Sequence, residues 1–279
     1  RMAPKPKDAG PPPLLLPSRK YGAPLYGAAW PEGNFIYLCG GGGSASSGIK
    51  NRLVVLESKD GQLTDQVADH HFGQDCPMRL AVSPSGKCIV LAMGAGGIRR
   101  LELDARGKVP KVTDATGELA ERLASEVRGE VRCLAFAPSG DQLALGWVDG
   151  GLRVVDWPSL RTRLDCTGPL KLKDGVRDVD MAPGARAHQV AVVLDNGSAE
   201  LWDWESGELL CRAGLARGEF KSDAVMTVTG PNHTSTHPLP KALHGAQFTR
   251  LRYAPLAPIV APNGQPVASG SGAAAQPPQ

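Results

Sequence analysis

The stretch Leu80-Ala81-Val82-Ser83-Pro84-Ser85-Gly86 returns further along the chain as Leu134-Ala135-Phe136-Ala137-Pro138-Ser139-Gly140. The correspondence continues at the same offset: Val90-Leu91 matches Ala144-Leu145, Gly96-Gly97-Ile98 matches Gly150-Gly151-Leu152, and Leu101 matches Val155. A third copy runs Val179-Asp180-Met181-Ala182-Pro183-Gly184, then 190–194, then Asp195-Asn196-Gly197, then Ala199-Glu200-Leu201-Trp202-Asp203. Each copy reads as strand, Pro/Ser/Gly turn, β-branched strand, Gly-rich turn, strand, the order of a run of antiparallel hairpins. The turns have a mechanism: proline presets φ at the turn's entry, and glycine supplies the positive φ that ends it.

A more divergent copy comes first, with Ala28-Ala29-Trp30-Pro31-Glu32-Gly33 as its turn and strands over 35–39 and 52–57. Trp202-Asp203 closes the third copy where a WD repeat carries its Trp-Asp dipeptide, and Asp156-Trp157 holds the equivalent place in reversed order. Period-two strands, regular turns and a repeat of about 45–55 residues select a propeller over a sandwich. The reading is an all-β fold, a WD-repeat β-propeller of the seven-bladed type. Its blades are expected at about 22–57, 77–103, 130–157 and 175–205, with a polar insert at 217–245 and a partial fifth blade at 246–255 that opens on Ala246-Gln247-Phe248-Thr249-Arg250-Leu251-Arg252-Tyr253. Residues 21–255 form this propeller, flanked by a disordered Pro/Lys-rich arm at 1–20 and a disordered tail at 256–279. Nothing after Pro255 supplies further blades, so the expectation is an incomplete ring with open edges. Residues 117–128 carry Leu119, Leu123 and Val127 at helical spacing, which predicts a short helix or a long outer connection whose apolar side packs on the core.

Composition narrows the function. With 279 residues, 42% apolar and 21% charged, the chain lies in the soluble globular range and can bury a large core. A net charge of +3 with dispersed Lys and Arg leaves no electrostatic footprint for nucleic acid or anionic lipid. Six cysteines stand apart with no Cys-x-x-Cys pair, which indicates neither a disulfide scaffold nor a zinc ribbon and fits a reducing compartment. Cys39, Cys88 and Cys133 sit in apolar runs and are expected to be buried. No stretch approaches the ~18 apolar residues of a membrane span. The start on Arg and the Ser/Gly/Ala/Pro tail at 269–279 read as those of a fragment or an incomplete gene model. His70-His71, with Asp69, Asp75 and Cys76, is expected in an inter-blade connection and matches no ligand spacing; His233-x-x-x-His237 falls in the irregular insert without a cysteine partner, so no zinc site is expected. Neither Gly-x-Ser-x-Gly nor His-Glu-x-x-His occurs, leaving no candidate catalytic acid, base or nucleophile.

The repeat is broken once. Where later blades turn at 94–97 or 195–197, the first inserts Gly40-Gly41-Gly42-Gly43-Ser44-Ala45-Ser46-Ser47-Gly48-Ile49-Lys50-Asn51. A long glycine-rich loop loses much backbone entropy when ordered, so such loops are functional or disordered. A passive Gly/Ser connector is one reading. The ending Gly48-Ile49-Lys50-Asn51 opposes it, placing a branched apolar side chain beside a charge on a hairpin tip. Gly43-x-x-x-x-Gly48 followed by Lys50 imitates a phosphate-binding loop, but Ile49 precedes the lysine, Asn51 replaces the hydroxyl, and a strand (53–56) follows where a helix should receive the phosphates.

With these residues, 26–57 resembles the first blade of the Sec-twelve / prolactin regulatory element-binding protein family, closely over that stretch and more loosely to about Tyr253. The resemblance implies a guanine-nucleotide exchange factor on the cytosolic face of the endoplasmic reticulum, acting on the Sar-type small GTPase that starts COPII vesicle formation. It also implies a loop ordered by a potassium ion. Carried over, Gly40, Gly41, Gly42, Gly43, Ser44 and Gly48 would turn carbonyls onto the cation, Asn51 would hold the base of the loop, and Ile49, Lys50 and Asn51 would contact the GTPase. Weak carbonyl dipoles suit a hard monovalent cation, and glycines allow many to converge. A tip that prefers the nucleotide-free GTPase weakens GDP binding by linkage, so exchange requires protein binding and no chemical catalysis. The family's membrane attachment, a C-terminal helix, has no counterpart in these residues, nor do its later blades. The alternative is a WD-repeat scaffold for protein-protein interaction without exchange activity.

Overall fold

The computed structural model describes residues 20–31, 33–44, 47–215, 225–230, 233–238, 250 and 252–253. Among them stand four antiparallel sheets in chain order, each a propeller blade. The first is β1 (Leu25–Ala29), β2 (Phe35–Gly40), β3 (Arg52–Lys59) and β5 (Ala68–His71), with the short β4 (Gln62–Leu63) paired to the end of β3. The second is β6 (Pro77–Val82), β7 (Cys88–Met93), β8 (Ile98–Asp104) and β9 (Lys111–Asp114). The third is β10 (Val131–Phe136), β11 (Gln142–Trp147), β12 (Leu152–Asp156) and β13 (Thr162–Cys166). The fourth is β14 (Val176–Met181), β15 (Gln189–Leu194), β16 (Ser198–Asp203) and β17 (Leu209–Leu215), extended by β18 (Val225–Gly230) and β19 (His233–Pro238).

The blades are made by strands buried on both faces. In β7 every residue is buried. Side chains alternate across a strand: Ile89 and Leu91 pack with Tyr37, Leu53 and Val55 of the first blade, while Val90 and Ala92 pack with Leu143, Leu145 and Trp147 of the third. The same logic joins the third and fourth blades, where Ala144, Leu152 and Val154 meet Val179, Val190 and Val192. Each blade thus shares a core with its neighbours, and truncating one such leucine to alanine costs about 2–5 kcal/mol. A repeated backbone irregularity confirms the equivalence: the first strand of every blade skips one residue against the second, between Leu25 and Gly27, Pro77 and Arg79, Val131 and Cys133, and Val176 and Asp178.

Helix α1 (Glu118–Glu126) lies between the second and third blades, with Leu123 and Val127 buried in their shared core and Leu119 packed against it. Cys39, Cys88 and Cys133 are buried and free. Burial pushes the Cys39 thiol up to about 12, so it behaves as a small hydrophobe rather than a nucleophile.

Three expectations change. Every blade runs one strand beyond its expected end, to β5, β9, β13 and β17. Outer strands such as Ala-Asp-His-His and Lys-Val-Thr-Asp are short and largely polar because one edge has no neighbour, so they lack an apolar run to betray them. His70-His71 therefore lies in β5 and not in a connection: His70 is paired with Leu53, and His71 is 3.2 Å from Asp69. The region read as an irregular polar insert, 217–245, contains the hairpin β18–β19, in register from Val225↔Pro238 to Gly230↔His233. Its alternating Thr, Ser and Val satisfy the period of a strand despite the flanking prolines. The expected fifth blade, 246–255, lies outside the described residues except for Arg250, Arg252 and Tyr253, which carry no strand. The expected arm, Lys20 apart, and the tail 256–279 also lie outside them.

Candidate functional site

The glycine loop leaves the sheet at Gly40 and returns at Arg52, and these two residues are directly paired. The intervening chain folds tightly back on itself. The Gly41 N–H donates to the Pro24 carbonyl at 3.0 Å. A Cβ on Gly40 would overlap that same carbonyl, one on Gly41 would overlap Asn51, and one on Gly42 would overlap Ser47 Oγ. Close approach, more than turning, is what these three glycines allow. Gly43 and Gly48, at φ +76 and +69, take the left-handed conformation at the loop's corners.

Asn51 organises the loop. It is 2% exposed. Its Oδ1 accepts the Gly43 N–H at 2.9 Å, its Nδ2 donates to the Gly43 carbonyl at 2.9 Å and to the Gly73 carbonyl at 3.0 Å, and its own carbonyl accepts the Phe72 N–H at 3.0 Å. One carboxamide thus satisfies both peptide groups of Gly43 and staples the loop to the connection after β5. Each bond contributes about 0.5–1.5 kcal/mol net, and a buried partner left unmet costs about 1–3 kcal/mol. Both polar atoms of the Asn51 side chain are turned inward, engaged by Gly43 and Gly73.

The tip itself faces solvent. Ile49 is 37% exposed, its N–H is held by Ser47 Oγ at 3.3 Å, and Lys50 and Ser44 are exposed beside it. At the loop's exit, the Arg52 guanidinium donates to the Tyr21 carbonyl and to Gln66 Oε1 at 3.2 Å, fixing the start of β3. Residues 40–51 contain no carboxylate. Their donors are carbonyls and hydroxyls, which fit a monovalent cation such as potassium better than a divalent one. Two of the carbonyls at the loop's base, those of Gly43 and Gly73, are already gathered by the Asn51 amide. Among the described residues no group of three or more His, Cys, Asp or Glu is placed to hold a metal.

The loop belongs to a continuous face. Asp75 Oδ1 accepts the Ala95 N–H at 2.9 Å, and the Gly94 N–H donates to the Cys76 carbonyl at 2.7 Å. The turn of the second blade joins Gly129 through Gly97 N–H at 2.6 Å, the turn of the third joins the connection that follows it through Leu172 N–H to the Gly150 carbonyl, and the turn of the fourth joins the connection that precedes it through Asp195 N–H to the Gly175 carbonyl, both at 2.9 Å. Sequence reasoning found Ile49, Lys50, Asn51 and the glycines but missed Pro24, Phe72 and Gly73. No local signal marks those three, since their role is a contact across the fold.

No family model matches the chain. SEC12-like protein 1 of Arabidopsis thaliana is 33% identical over 131 residues, 47% of this chain and 30% of that protein. SEC12-like protein 2 of the same plant is 31% identical over 124 residues, 43% of this chain and 30% of that protein. The match therefore spans under a third of the length of each curated relative. Among solved structures, the β-propeller domain of Myceliophteria thermophila Cps50 (Swd1) aligns over 76% of this chain and 72% of its own, with a TM-score of 0.47 and 10% identity, too loose a likeness to carry an argument.

Proposed function

From the SEC12-like assignment that the two Arabidopsis relatives support, we propose that this WD-repeat propeller is a guanine-nucleotide exchange factor for a Sar-type small GTPase, working on the cytosolic face of the endoplasmic reticulum at the start of COPII vesicle formation. The observation that carries the reading is the loop held by Asn51, which presents Ile49 and Lys50 on a braced tip. Prior ordering lowers the entropy that the tip would otherwise lose on binding. Tighter binding to the nucleotide-free GTPase than to its GDP-bound form weakens GDP by the same factor, so acceleration needs no acid, base or nucleophile. A potassium ion on the remaining loop carbonyls would add electrostatic ordering to what Asn51 supplies.

The test is GDP-to-GTP exchange on a purified Sar-type GTPase, followed by its tryptophan fluorescence, with this chain and its Ile49→Ala variant in potassium and in sodium buffer. The expected result is an acceleration that falls about tenfold in Ile49→Ala, as loss of a buried apolar anchor implies, and that is weaker in sodium. Binding without acceleration in any buffer would leave the chain a scaffold and overturn the proposal.

A further inference from the structure

The first strands of the second, third and fourth blades carry one repeated pattern: Arg79-Leu80-Ala81-Val82, Cys133-Leu134-Ala135-Phe136 and Asp178-Val179-Asp180-Met181. Arg250-Leu251-Arg252-Tyr253 continues it, and each set is followed two residues later by a proline, at Pro84, Pro138, Pro183 and Pro255. The apolar residue in second place is followed by an alanine in the second and third blades. In the fourth blade it is flanked by Asp178 and Asp180, and in the next copy by Arg250 and Arg252.

The fold brings these charges together. Val179, Val190 and Val192 of the fourth blade pack toward the third. Side chains alternate across a strand, so Asp178 and Asp180 stand on the opposite face, in register with Val193 and Ala191. No further blade covers that face among the described residues, yet Asp178 is only 3% exposed and Val193 is fully buried. Arg250 Nη1 donates to Asp178 Oδ1 at 3.2 Å, and Arg252 Nη1 donates to Asp178 Oδ2 at 2.7 Å. The Tyr253 N–H donates to Asp180 Oδ2 at 2.7 Å. Arg252 also lines a cavity of about 230 Å³ with Ala81, Ala135 and Asp180, which hold the same place in the pattern in the second, third and fourth blades. It therefore stands where the first strand of a following blade would stand.

We propose that the free face of the fourth blade is a docking face for the segment that carries Arg250, Arg252 and Tyr253, and that Asp178 and Asp180, set against Arg250 and Arg252, select it as the next first strand. The described blades meet through apolar side chains, which many similar strands could supply. A buried carboxylate is more selective, because an apolar strand laid over it would leave its charge unmet. Alternate residues of an extended chain share a face, so the spacing of Arg250 and Arg252 turns both guanidiniums to the same side. Opposite charge then fixes which strand docks and in what register.

Limited trypsin digestion of the full chain, followed by mass spectrometry, tests the docking, because a guanidinium held on Asp178 is withheld from the protease until the segment opens. Arg106, with its side chain 91% exposed after β8, is the internal reference, and Arg153, inside β12, reports loss of the fold. Cleavage after Arg250 and Arg252 is expected to be about tenfold slower than after Arg106. Asp178→Asn keeps the shape and removes the charge, and is expected to raise both rates about tenfold while cleavage after Arg106 and Arg153 stays unchanged. Arg250→Gln leaves Arg252 on Asp178 and is expected to speed cleavage after Arg252 about threefold; it decides the question if Asp178→Asn opens β12 as well. Cleavage after Arg252 as fast as after Arg106 in the wild type, or unchanged by either substitution in a folded chain, overturns the inference.

Discussion

The connection between the second and third strands is built in two ways within one chain. In the second, third and fourth blades it is a tight turn closed by backbone: Gly96 N–H to the Met93 carbonyl at 3.0 Å, Gly150 N–H to that of Trp147 at 3.3 Å, and Gly197 N–H to that of Leu194 at 2.9 Å. In the first blade the backbone bonds of a hairpin turn are replaced by the side chain of one buried asparagine. A short turn is ordered by its own geometry, whereas a long loop needs an internal brace to offset the entropy of ordering. The brace leaves the tip free to carry side chains that a tight turn has no room for.

Two asparagines sharpen the contrast. Asn196 in the fourth blade's turn is exposed, accepting from the Ser198 N–H at 2.8 Å and donating to Asp174 at 2.7 Å, while Asn51 is buried. Asn51→Ala leaves both polar groups of Gly43 and the Gly73 carbonyl without their partner, and a loss of about 3 kcal/mol is expected, read by denaturant unfolding, together with faster hydrogen exchange across 41–50. Gly40→Ala drives a methyl into the Pro24 carbonyl and is expected to cost about 1–3 kcal/mol, measured by the same unfolding curves; an unchanged midpoint would refute the close packing of the loop's base. Asn196→Ala removes only exposed bonds, and a loss of about 0.5 kcal/mol is expected, read from the same unfolding curves. Ile49→Ala should leave stability within about 0.5 kcal/mol of wild type, so a marked fall in its melting temperature would show that Ile49 supports the loop rather than a partner.

The legibility of the molecule follows the same division. The inner strands were readable because burial on both faces demands apolar residues without interruption, as in Cys88-Ile89-Val90-Leu91-Ala92-Met93. The outer strands were not, because His70 and His71 answer to an open edge and could equally belong to a loop. In the candidate site, the glycines and Ile49 were conspicuous as a break in the repeat. The inward turn of Asn51 was only half legible: its residue type suits a brace, and its burial in the fold places it there.

Sequence by itself determined the repeat, the all-β class, the phase of the inner strands and the position of the anomalous loop, since these rest on periodicity and turn chemistry that act over a few residues. Tertiary structure alone decided that Gly73 and Pro24 meet the loop, that Asp178 receives Arg250 and Arg252, and that Asp195 is shared by Arg132 and Arg177. These contacts join residues from different blades or from distant parts of one blade. Their existence depends on how sheets pack face to face, which no local pattern of residues encodes.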